Sequence, residues 1–296
     1  MRWVFVNCEL VRGPDAKVSA LDRGLLYGYG LFETMRSYGG HVFRLEEHYR
    51  RLCEGAAVLA LEVPLTLTDL REAADAVLQR NELTDASLRL TLTAGTLQGV
   101  DGVPEDSKAQ VVLFARESTE YPEALYGRGM AAVISGICRN ETSPLSRVKS
   151  LNYLDNLLAR EEARRQGAGE ALLLNSRGFV AEGSASNVFV VKGNELLTPS
   201  IQSGALPGVT RKVVLELATA AGLEAKETEI RPEVLFEATE VFLTSSLKEL
   251  MPLTKLDGRS IGAGRPGPLS ERLRRLYREL VVREAANTPP RGRTHR

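Results

Sequence analysis

The segment ESTEYPEALYGRG, residues 117–129, divides the sequence into two halves that each carry their own strand and helix patterns. It is polar and contains Pro122 and two glycines, which is typical of a connection between folded units. The sequence therefore predicts an α+β protein. Its predicted parts are an N-terminal α+β domain over 1–117, an interdomain linker over 118–129, a C-terminal domain over 130–286 and a disordered tail over 287–296.

Hydrophobic periodicity predicts the main elements of both halves. They are a hairpin over 3–11, strands at ASLRLTLTAG and AQVVLFAR, and helices over about 44–60, 68–80, 152–166 and 269–285. Thr68 is the predicted N-cap of the second helix. The inward face of the third helix is predicted to consist of Leu154, Leu157 and Leu158.

Composition excludes several classes of protein. The 296 residues contain 38 basic and 38 acidic side chains, so no net charge attracts the chain to nucleic acid or to a membrane. No apolar run approaches the roughly 18 residues that span a bilayer. The three cysteines are far apart and odd in number, so they do not form a disulfide framework, and no cluster of residues has metal-ligand spacing. We expect a cytoplasmic protein with reduced thiols, no metal, and no nucleic-acid or membrane partner.

Lys149 lies just before the predicted helix over 152–166, in the stretch SRVKSLNYLDNLLAREEA. A lysine held against apolar surface loses solvation, so its pKa falls and its neutral amine can attack a carbonyl group to form a Schiff base. Taken alone, Lys149 is better explained as a solvated surface charge, which is what most lysines are.

Three further segments could bind parts of an anionic ring cofactor. Glu182 lies among small residues in VAEGSASNVF, where a flat ring can approach and a carboxylate can hold a pyridinium N–H. In ALPGVTRK a helix begins near Val209, and the free N–H groups of a helix start bind anions. Arg51, on the helix that contains HYRRL, could hold a phosphate with its forked guanidinium. Each has an ordinary structural explanation when it is considered by itself.

The order of these segments is more informative than any one of them. HYRRL, KSLNYL, AEGSASNVF, LPGVTR and FLTSSLKEL follow one another along the chain. In this order the sequence resembles the class IV aminotransferases over about residues 3–285; these are pyridoxal-phosphate enzymes of the D-amino-acid-aminotransferase-like fold, fold type IV. The resemblance implies a small N-terminal domain, a larger pseudo-barrel C-terminal domain, pyridoxal 5'-phosphate at their interface, and a homodimer.

The resemblance also implies a role for each site residue. Lys149 would be the catalytic residue, which forms the Schiff base with the cofactor and moves the substrate α-proton. Glu182 would pair with the pyridine nitrogen, Tyr153 would reach the phenolic oxygen, and Leu206 would pack against the ring. The implied phosphate ligands are Arg51, Val209, Thr210, Ser245 and Ser246, and the implied substrate contacts are Phe32, Arg36 and Arg89.

The substrate is less well defined, because the family has several activities. D-amino acid aminotransferases carry Arg-x-His where this chain has TAGTLQGVDG. Branched-chain enzymes carry Tyr-x-Arg where this chain has Ser87-Leu88-Arg89, and Thr34 replaces their glycine as in the lyases. The ending GRPGP, 264–268, is similar to that of the branched-chain group.

We therefore predict an aminotransferase that moves the amino group of an L-branched-chain or related aliphatic amino acid to 2-oxoglutarate. The alternatives are an aminodeoxychorismate lyase that releases pyruvate and 4-aminobenzoate, and a D-amino acid or (R)-amine transaminase. A non-catalytic protein on this fold would be expected to have lost Lys149 or Glu182, and this chain has both.

Overall fold

The computed structural model describes residues 2–96, 108–118 and 121–286; the predicted tail over 287–296 lies outside them. The helices in the described residues are α1 (Arg23–Tyr27), α2 (Leu45–Val58), α3 (Leu67–Arg80), α4 (Glu123–Arg128), α5 (Leu154–Arg165), α6 (Val209–Ala220), α7 (Pro232–Glu237) and α8 (Pro268–Ala286).

The strands form two sheets, one before and one after α4. The strands of the first sheet are β1 (Trp3–Val6), β2 (Glu9–Arg12), β3 (Gly30–Tyr38), β4 (His41–Val42), β5 (Ala86–Thr93) and β6 (Gln110–Glu117). Those of the second are β7 (Met130–Arg139), β8 (Glu170–Asn175), β9 (Val180–Gly183), β10 (Asn187–Lys192), β11 (Glu195–Pro199), β12 (Glu224–Thr228), β13 (Glu240–Ser245), β14 (Glu249–Leu256) and β15 (Arg259–Ser260).

The first sheet is antiparallel and has the strand order β2-β1-β6-β5-β3-β4. Because side chains alternate between the faces of a strand, one face carries the core and the other is free for function. Leu31 and Met35 on β3 and Leu90 on β5 pack with α2 and α3 on the core face. Phe32 and Arg89 lie on the opposite face.

The second sheet is mixed, with the strand order β12-β11-β10-β13-β14-β7-β8-β9, and β15 pairs with β14. β7 is parallel to both β14 and β8. The terminal strand β9 also contacts β10 and β11, so the sheet curls back on itself. Its core against α6 and α8 contains Phe189, Phe242, Leu273 and Tyr277, and the first two rings stack 5.1 Å apart. These two sheets with their helices confirm the predicted α+β fold.

The two sheets are joined at β3. The Phe32 N–H donates to the Lys149 carbonyl at 2.9 Å, and the Leu151 N–H donates to the Gly30 carbonyl at 2.9 Å. This pairing ties the segment that precedes α5 to the first sheet.

Two details differ from the sequence prediction. The N-cap of α3 is Thr66, not Thr68, because Thr66 and Asp69 form a reciprocal capping box that places Thr68 inside the first turn. The inward face of α5 was also predicted wrongly. Ala159 and Ala163 pack on β7 and β8, and the helix leaves three leucines 50–65% exposed, namely Leu154, Leu157 and Leu158.

The segment predicted as a linker contains α4, whose Tyr126 is buried and donates a hydrogen bond to the Lys248 carbonyl at 3.1 Å. The hairpin of β1 and β2 and the helices α2, α3, α5 and α8 lie where the sequence predicted them, within a few residues. A search of the described residues for a helix long and apolar enough to cross a membrane finds none.

Candidate functional site

A cavity of about 530 Å³ opens between the two sheets, a volume suited to a small molecule. The free face of the first sheet contributes Phe32, Thr34 and Arg89 to its wall. The second sheet and its loops contribute most of the remaining wall. All the predicted site residues except Arg36 line this cavity: Phe32, Arg51, Arg89, Lys149, Tyr153, Glu182, Leu206, Val209, Thr210, Ser245 and Ser246.

Lys149 is held by the backbone pairing with β3, and its side chain is half-buried in the cavity. Its Nζ lies 4.4 Å from the centroid of the Phe32 ring and 5.9 Å from that of Tyr153. Burial and the nearby Arg51 lower the pKa of Lys149 to about 8, although Glu33 and Glu182 act in the opposite direction. About a tenth of this amine is therefore neutral and nucleophilic at pH 7, far more than for a lysine of ordinary pKa.

Glu182 on β9 is a buried carboxylate in the cavity wall. Its Oε2 accepts from the Leu206 N–H at 2.9 Å, and its Oε1 lies 3.3 Å from Arg139 Nη2. Burial raises the pKa of Glu182, whereas Arg139, the Leu206 amide and Lys149 oppose that rise. A buried carboxylate with this raised pKa gains from a further N–H donor inside the cavity.

The start of α6 forms an anion-binding corner. Val209 and Thr210 lie in its first turn, where backbone N–H groups lack intrahelical acceptors, and no side chain of the described residues caps this end. The N-cap is Gly208, where a Cβ would lie 2.0 Å from Asn187 Oδ1, so the turn requires glycine. Ser245 and Ser246 line the cavity as well and can supply hydroxyl groups.

Arg51 reaches this corner from α2. Its Nε and Nη2 contact the two Glu33 carboxylate oxygens at 2.8 and 2.5 Å, and its Nη1 donates to the Pro207 carbonyl at 3.1 Å. His48 Nδ1 lies 2.7 Å from the same carboxylate. Burial alone would raise the pKa of Glu33, but Arg51 and His48 lower it to about 2. Glu33 is therefore ionised, and its ion pair with Arg51 holds the Arg51 guanidinium beside the start of α6.

Tyr153 and Phe32 form the side of the cavity around Lys149. Their rings pack edge to face with centroids 5.2 Å apart, and the Tyr153 hydroxyl donates to the Ser184 carbonyl at 2.6 Å. Burial raises the pKa of Tyr153, so the hydroxyl stays protonated and can donate. Arg89 covers Phe32, with its guanidinium carbon 3.5 Å from the ring centroid.

Arg36, predicted to contact substrate, is not part of the cavity wall. It is buried, its Nη1 lies 3.3 Å from Glu249 Oε1, and its guanidinium carbon lies 4.5 Å from the centroid of the Tyr38 ring. Arg36 shares the free face of β3 with Phe32 but lies four residues further along, where β14 and α8 cover that face. Most of the segment TAGTLQGVDG, on which the predicted absence of an Arg-x-His pair rests, lies outside the described residues.

Sequence reasoning missed a buried ion pair beneath the site. Lys248 Nζ contacts Glu170 Oε2, and the Ser184 and Ser186 hydroxyls donate to the same carboxylate, the latter at 2.8 Å. Lys248 lines the cavity, and the Ser184 carbonyl is also the acceptor for Tyr153. The pair thus links the loop after β13 to the start of β8, and the two serines add the loop after β9 to the same carboxylate. No local pattern could reveal it, because 78 residues separate its members.

One buried polar atom in the cavity wall has no partner among the described residues. It is Oγ1 of Thr244, at the end of β13. Buried polar atoms are almost always hydrogen-bonded, so the lack of a partner for this hydroxyl indicates that a polar ligand binds here. A half-buried nucleophilic lysine, a buried carboxylate and an anion-binding helix start around one cavity define the site of an enzyme that handles a carbonyl-bearing anion.

Comparisons with known proteins agree with this class. The family model of amino-transferase class IV matches residues 30–256. A putative branched-chain-amino-acid aminotransferase from Methanocaldococcus jannaschii is 36% identical over 278 residues, 94% of this chain and 96% of that protein. A D-alanine aminotransferase from Bacillus licheniformis is 31% identical, over 96% of this chain and 99% of that protein. The chain belongs to the class IV aminotransferase family.

Solved structures show the same fold. The branched-chain amino acid aminotransferase of Escherichia coli matches with a TM-score of 0.90 at 33% identity, covering 98% of this chain and 97% of that one. The branched-chain aminotransferase of Thermoproteus uzoniensis with norvaline matches with a TM-score of 0.88 at 31% identity, covering 96% and 95%. The PLP-form of the Thermobaculum terrenum branched-chain amino acid aminotransferase gives 0.84 at 29%, covering 95% and 94%. The predicted fold type IV is confirmed.

Proposed function

We propose that this chain is a pyridoxal-phosphate-dependent aminotransferase that moves the amino group of an L-branched-chain or related aliphatic amino acid to 2-oxoglutarate. The observation that carries the proposal is the single cavity that brings Lys149, Glu182 and the start of α6 together. The substrate class rests on the relatives, since the more similar ones are named for branched-chain amino acids and the D-alanine enzyme is less similar.

The cavity fits pyridoxal 5'-phosphate by its donor set. Glu182 can accept the pyridine N–H, and the Tyr153 hydroxyl can donate to the phenolic oxygen. Arg51 and the first-turn amides of α6 can hold the phosphate, and the hydroxyls of Thr210, Ser245 and Ser246 add donors. The unpartnered Thr244 hydroxyl supports a polar occupant at this corner. When bound, the cofactor withdraws electrons from the substrate Cα.

Within this site Lys149 is the proton carrier. With a pKa of about 8, its Nζ can take the proton from the substrate Cα and hold it between steps, because the ideal pKa of such a group lies near the operating pH. Phe32 and Tyr153 enclose the amine, which limits access of water. Glu182 remains close to its Arg139 partner and can balance the charge of a protonated ring.

A paired assay tests the substrate class. The cofactor-loaded enzyme should convert L-leucine and 2-oxoglutarate to 4-methyl-2-oxopentanoate and L-glutamate, and Lys149→Ala should lose at least about a thousandfold in rate because its proton carrier is missing. Higher kcat/KM with D-alanine as donor, or release of pyruvate from aminodeoxychorismate, would assign the chain to another member of the family.

We infer a homodimer from the outward leucines of α5. Leu154 is 65% exposed, and Leu25 on α1 is 69% exposed. A hydrogen bond from Asn152 Nδ2 to the Gly28 carbonyl, at 3.0 Å, places the end of α1 beside the start of α5. Exposed apolar patches of this kind are typical of interfaces between subunits. Asn152, Tyr153 and Asn156 at the same place line the cavity, so a partner subunit would lie near the active site.

Charge substitution tests the dimer. Leu154→Glu combined with Leu158→Glu should halve the mass measured by light scattering, because a buried charge opposes association. Val282→Glu is the matched control, since Val282 is 69% exposed on α8, away from the patch. An unchanged mass in the double variant would place the interface elsewhere.

We also propose that the enzyme works in the cytoplasm. The three cysteines, Cys8, Cys53 and Cys138, are all free thiols, and two of them are exposed. Unpaired exposed thiols are typical of a reducing compartment. Microscopy of a fluorescent fusion in its own host, or cell fractionation, would test the compartment.

A further inference from the structure

A buried ion pair lies behind the part of the cavity wall that contains Tyr153. Lys248, in the loop after β13, contacts the Glu170 carboxylate at the start of β8, and their side chains are only 4% and 1% exposed. Burial alone would raise the pKa of Glu170, but Lys248 and the hydroxyls of Ser184 and Ser186 lower it. The carboxylate is therefore ionised, and an ionised carboxylate is a strong hydrogen-bond acceptor.

Glu170 fixes Ser184 in the loop after β9. The Ser184 hydroxyl donates to Glu170 Oε1, and the Ser184 N–H donates to the Ala171 carbonyl at 2.8 Å. A hydroxyl that binds a charged acceptor is held more firmly than one that binds a neutral acceptor. Ser184 is itself buried, so water does not compete for these hydrogen bonds.

The Ser184 carbonyl in turn holds the start of α5. It accepts from the Tyr153 hydroxyl at 2.6 Å and from Asn156 Nδ2 at 3.0 Å. Tyr153 is the N-cap residue of α5, and Asn156 lies in its first turn. The ion pair therefore reaches Tyr153 through a single residue, Ser184.

Tyr153 belongs to the wall around the Lys149 amine. Its ring centroid lies 5.9 Å from Lys149 Nζ, and the ring packs edge to face against Phe32. A Tyr153 side chain that loses its acceptor can move away from Phe32 and admit water to the amine. Burial is the main cause of the low pKa of Lys149, so water at this place would raise that pKa.

We propose that Lys248 is a positioning residue of the active site, whose ion pair with Glu170 holds Tyr153 in the cavity wall. Ser184 transmits the effect, because its hydroxyl binds the pair and its carbonyl binds Tyr153. The arrangement keeps water away from Lys149. This inference rests on the proposed function in one respect, since it takes Lys149 as the amine that carries the substrate proton.

Competitive acetylation of the full-length apoprotein tests this role without cofactor or substrate. The protein reacts with a trace of acetic anhydride at a series of pH values, and mass spectrometry measures the acetylation of each lysine. The exposed Lys255 on β14 is the internal reference. Ser184→Ala removes the hydroxyl that binds Glu170 and keeps the carbonyl. It should raise the pKa of Lys149 by about half a unit to one unit, because water then solvates the ammonium form.

This substitution leaves the charges of the site unchanged. The charged groups that face Lys149 are those of Glu33, Arg51, Arg89, Arg139, Glu182 and Lys248. A shift in the Ser184→Ala variant therefore reports the position of the wall, because no charge has been added or removed.

Ser186→Ala is the matched control. The Ser186 hydroxyl donates to the same Glu170 carboxylate at 2.8 Å, but Tyr153 is held by the carbonyl of Ser184. This variant should change the pKa of Lys149 by less than about 0.2 unit. Equal shifts in the two serine variants, or no shift in Ser184→Ala, would overturn the positioning role.

Two double variants trace the path. Lys248→Met should raise the pKa of Lys149, and Ser184→Ala should add little to that rise, because both changes release the same side chain. Additive shifts would mean that Lys248 acts on Lys149 by its charge and would reject the path through Ser184. Ser184→Ala should likewise add little to Tyr153→Phe, and this second test does not require the Lys248 variant to fold.

The acetylation series is independent of the reaction that the enzyme catalyses. If the enzyme transaminates L-leucine but Ser184→Ala leaves the pKa of Lys149 unchanged, the positioning role is wrong and the proposed function stands. If transamination of L-leucine is absent but the series gives the expected shifts, the positioning role stands and the proposed substrate class fails.

Discussion

Lys149 shows how a residue's surroundings change its chemistry. In water a lysine of ordinary pKa is almost entirely protonated at neutral pH. In this cavity the pKa is lowered to about 8, since burial and Arg51 disfavour the charged amine. The amine is deprotonated as pH rises through that value, so about a tenth of Lys149 is neutral at pH 7 and about nine-tenths at pH 9.

This shift predicts the pH dependence of cofactor loading. When apoprotein is mixed with pyridoxal 5'-phosphate, the rate of covalent attachment should rise about tenfold from pH 7 to pH 9 and then level off. Stopped-flow absorbance measures it, with Lys149→Ala as the variant that cannot form the link. A rate that keeps rising about tenfold per pH unit up to about pH 10 would mean that the pKa of Lys149 is not lowered.

Some site residues lie in motifs whose order along the chain makes them predictable, and others do not. Lys149 and Glu182 stand out because each is a charged residue in a segment that otherwise suits a strand or a helix start. Glu33 was missed, although a signal exists: it occupies the core-facing phase of β3, between Leu31 and Met35. A carboxylate whose side chain faces the core needs a cation as its partner, and Arg51 on α2, the next helix along the chain, is that partner.

At the scale of elements, periodicity located the helices but not always the faces that they bury. The leucine stripe of α5 has the spacing of a core-facing helix, yet Ala159 and Ala163 pack on the sheet instead. Small side chains let the helix approach β7 and β8 closely. An apolar stripe on a helix indicates that its side chains will be buried. Only the tertiary structure shows whether they are buried in the core of the same chain or left exposed on its surface.

The Lys248–Glu170 pair joins the loop after β13 to the start of β8, and its energetics can be measured as a double-mutant cycle. Lys248→Met leaves the buried Glu170 carboxylate without its cation and should destabilise the protein by about 3–5 kcal/mol. Adding Glu170→Gln removes that charge and should recover part of the loss. Urea denaturation of the four proteins gives the coupling. Additive effects would show that the pair does not stabilise the fold as a unit.

For the whole molecule, the sequence predicts the α+β class and the order of its elements, because both depend on local periodicity and turns. It does not predict which strands become neighbours. The parallel pairing of β7 with β14 brings Met130 beside Leu253, so it joins strands from nearly opposite ends of the second half. The same holds for the contact between sheets, in which Glu249 accepts from Arg36, 213 residues away, and from Tyr38 at 3.1 Å.

Substitution of Arg36 distinguishes its structural role from the predicted substrate contact. Arg36→Met should destabilise the protein by about 3 kcal/mol, because Glu249 loses a buried partner and keeps Tyr38 and the half-exposed Arg278. It should change the KM for 2-oxoglutarate less than about twofold, whereas Arg89→Met should raise that KM about tenfold or more. Steady-state kinetics and urea denaturation measure the two effects. A large KM change in Arg36→Met would return this residue to the substrate site.

The hydrogen bonds between β3 and the segment around Lys149 have a mechanical consequence. The lysine belongs to the second half of the chain in sequence, but its carbonyl is tied to the first sheet, at Phe32. Hinge opening between the halves would therefore pull the amine away from Glu182. We therefore expect substrate and product to pass through the cavity mouth while these hydrogen bonds between the two halves stay formed. Each turnover should then leave the relative position of the two halves unchanged.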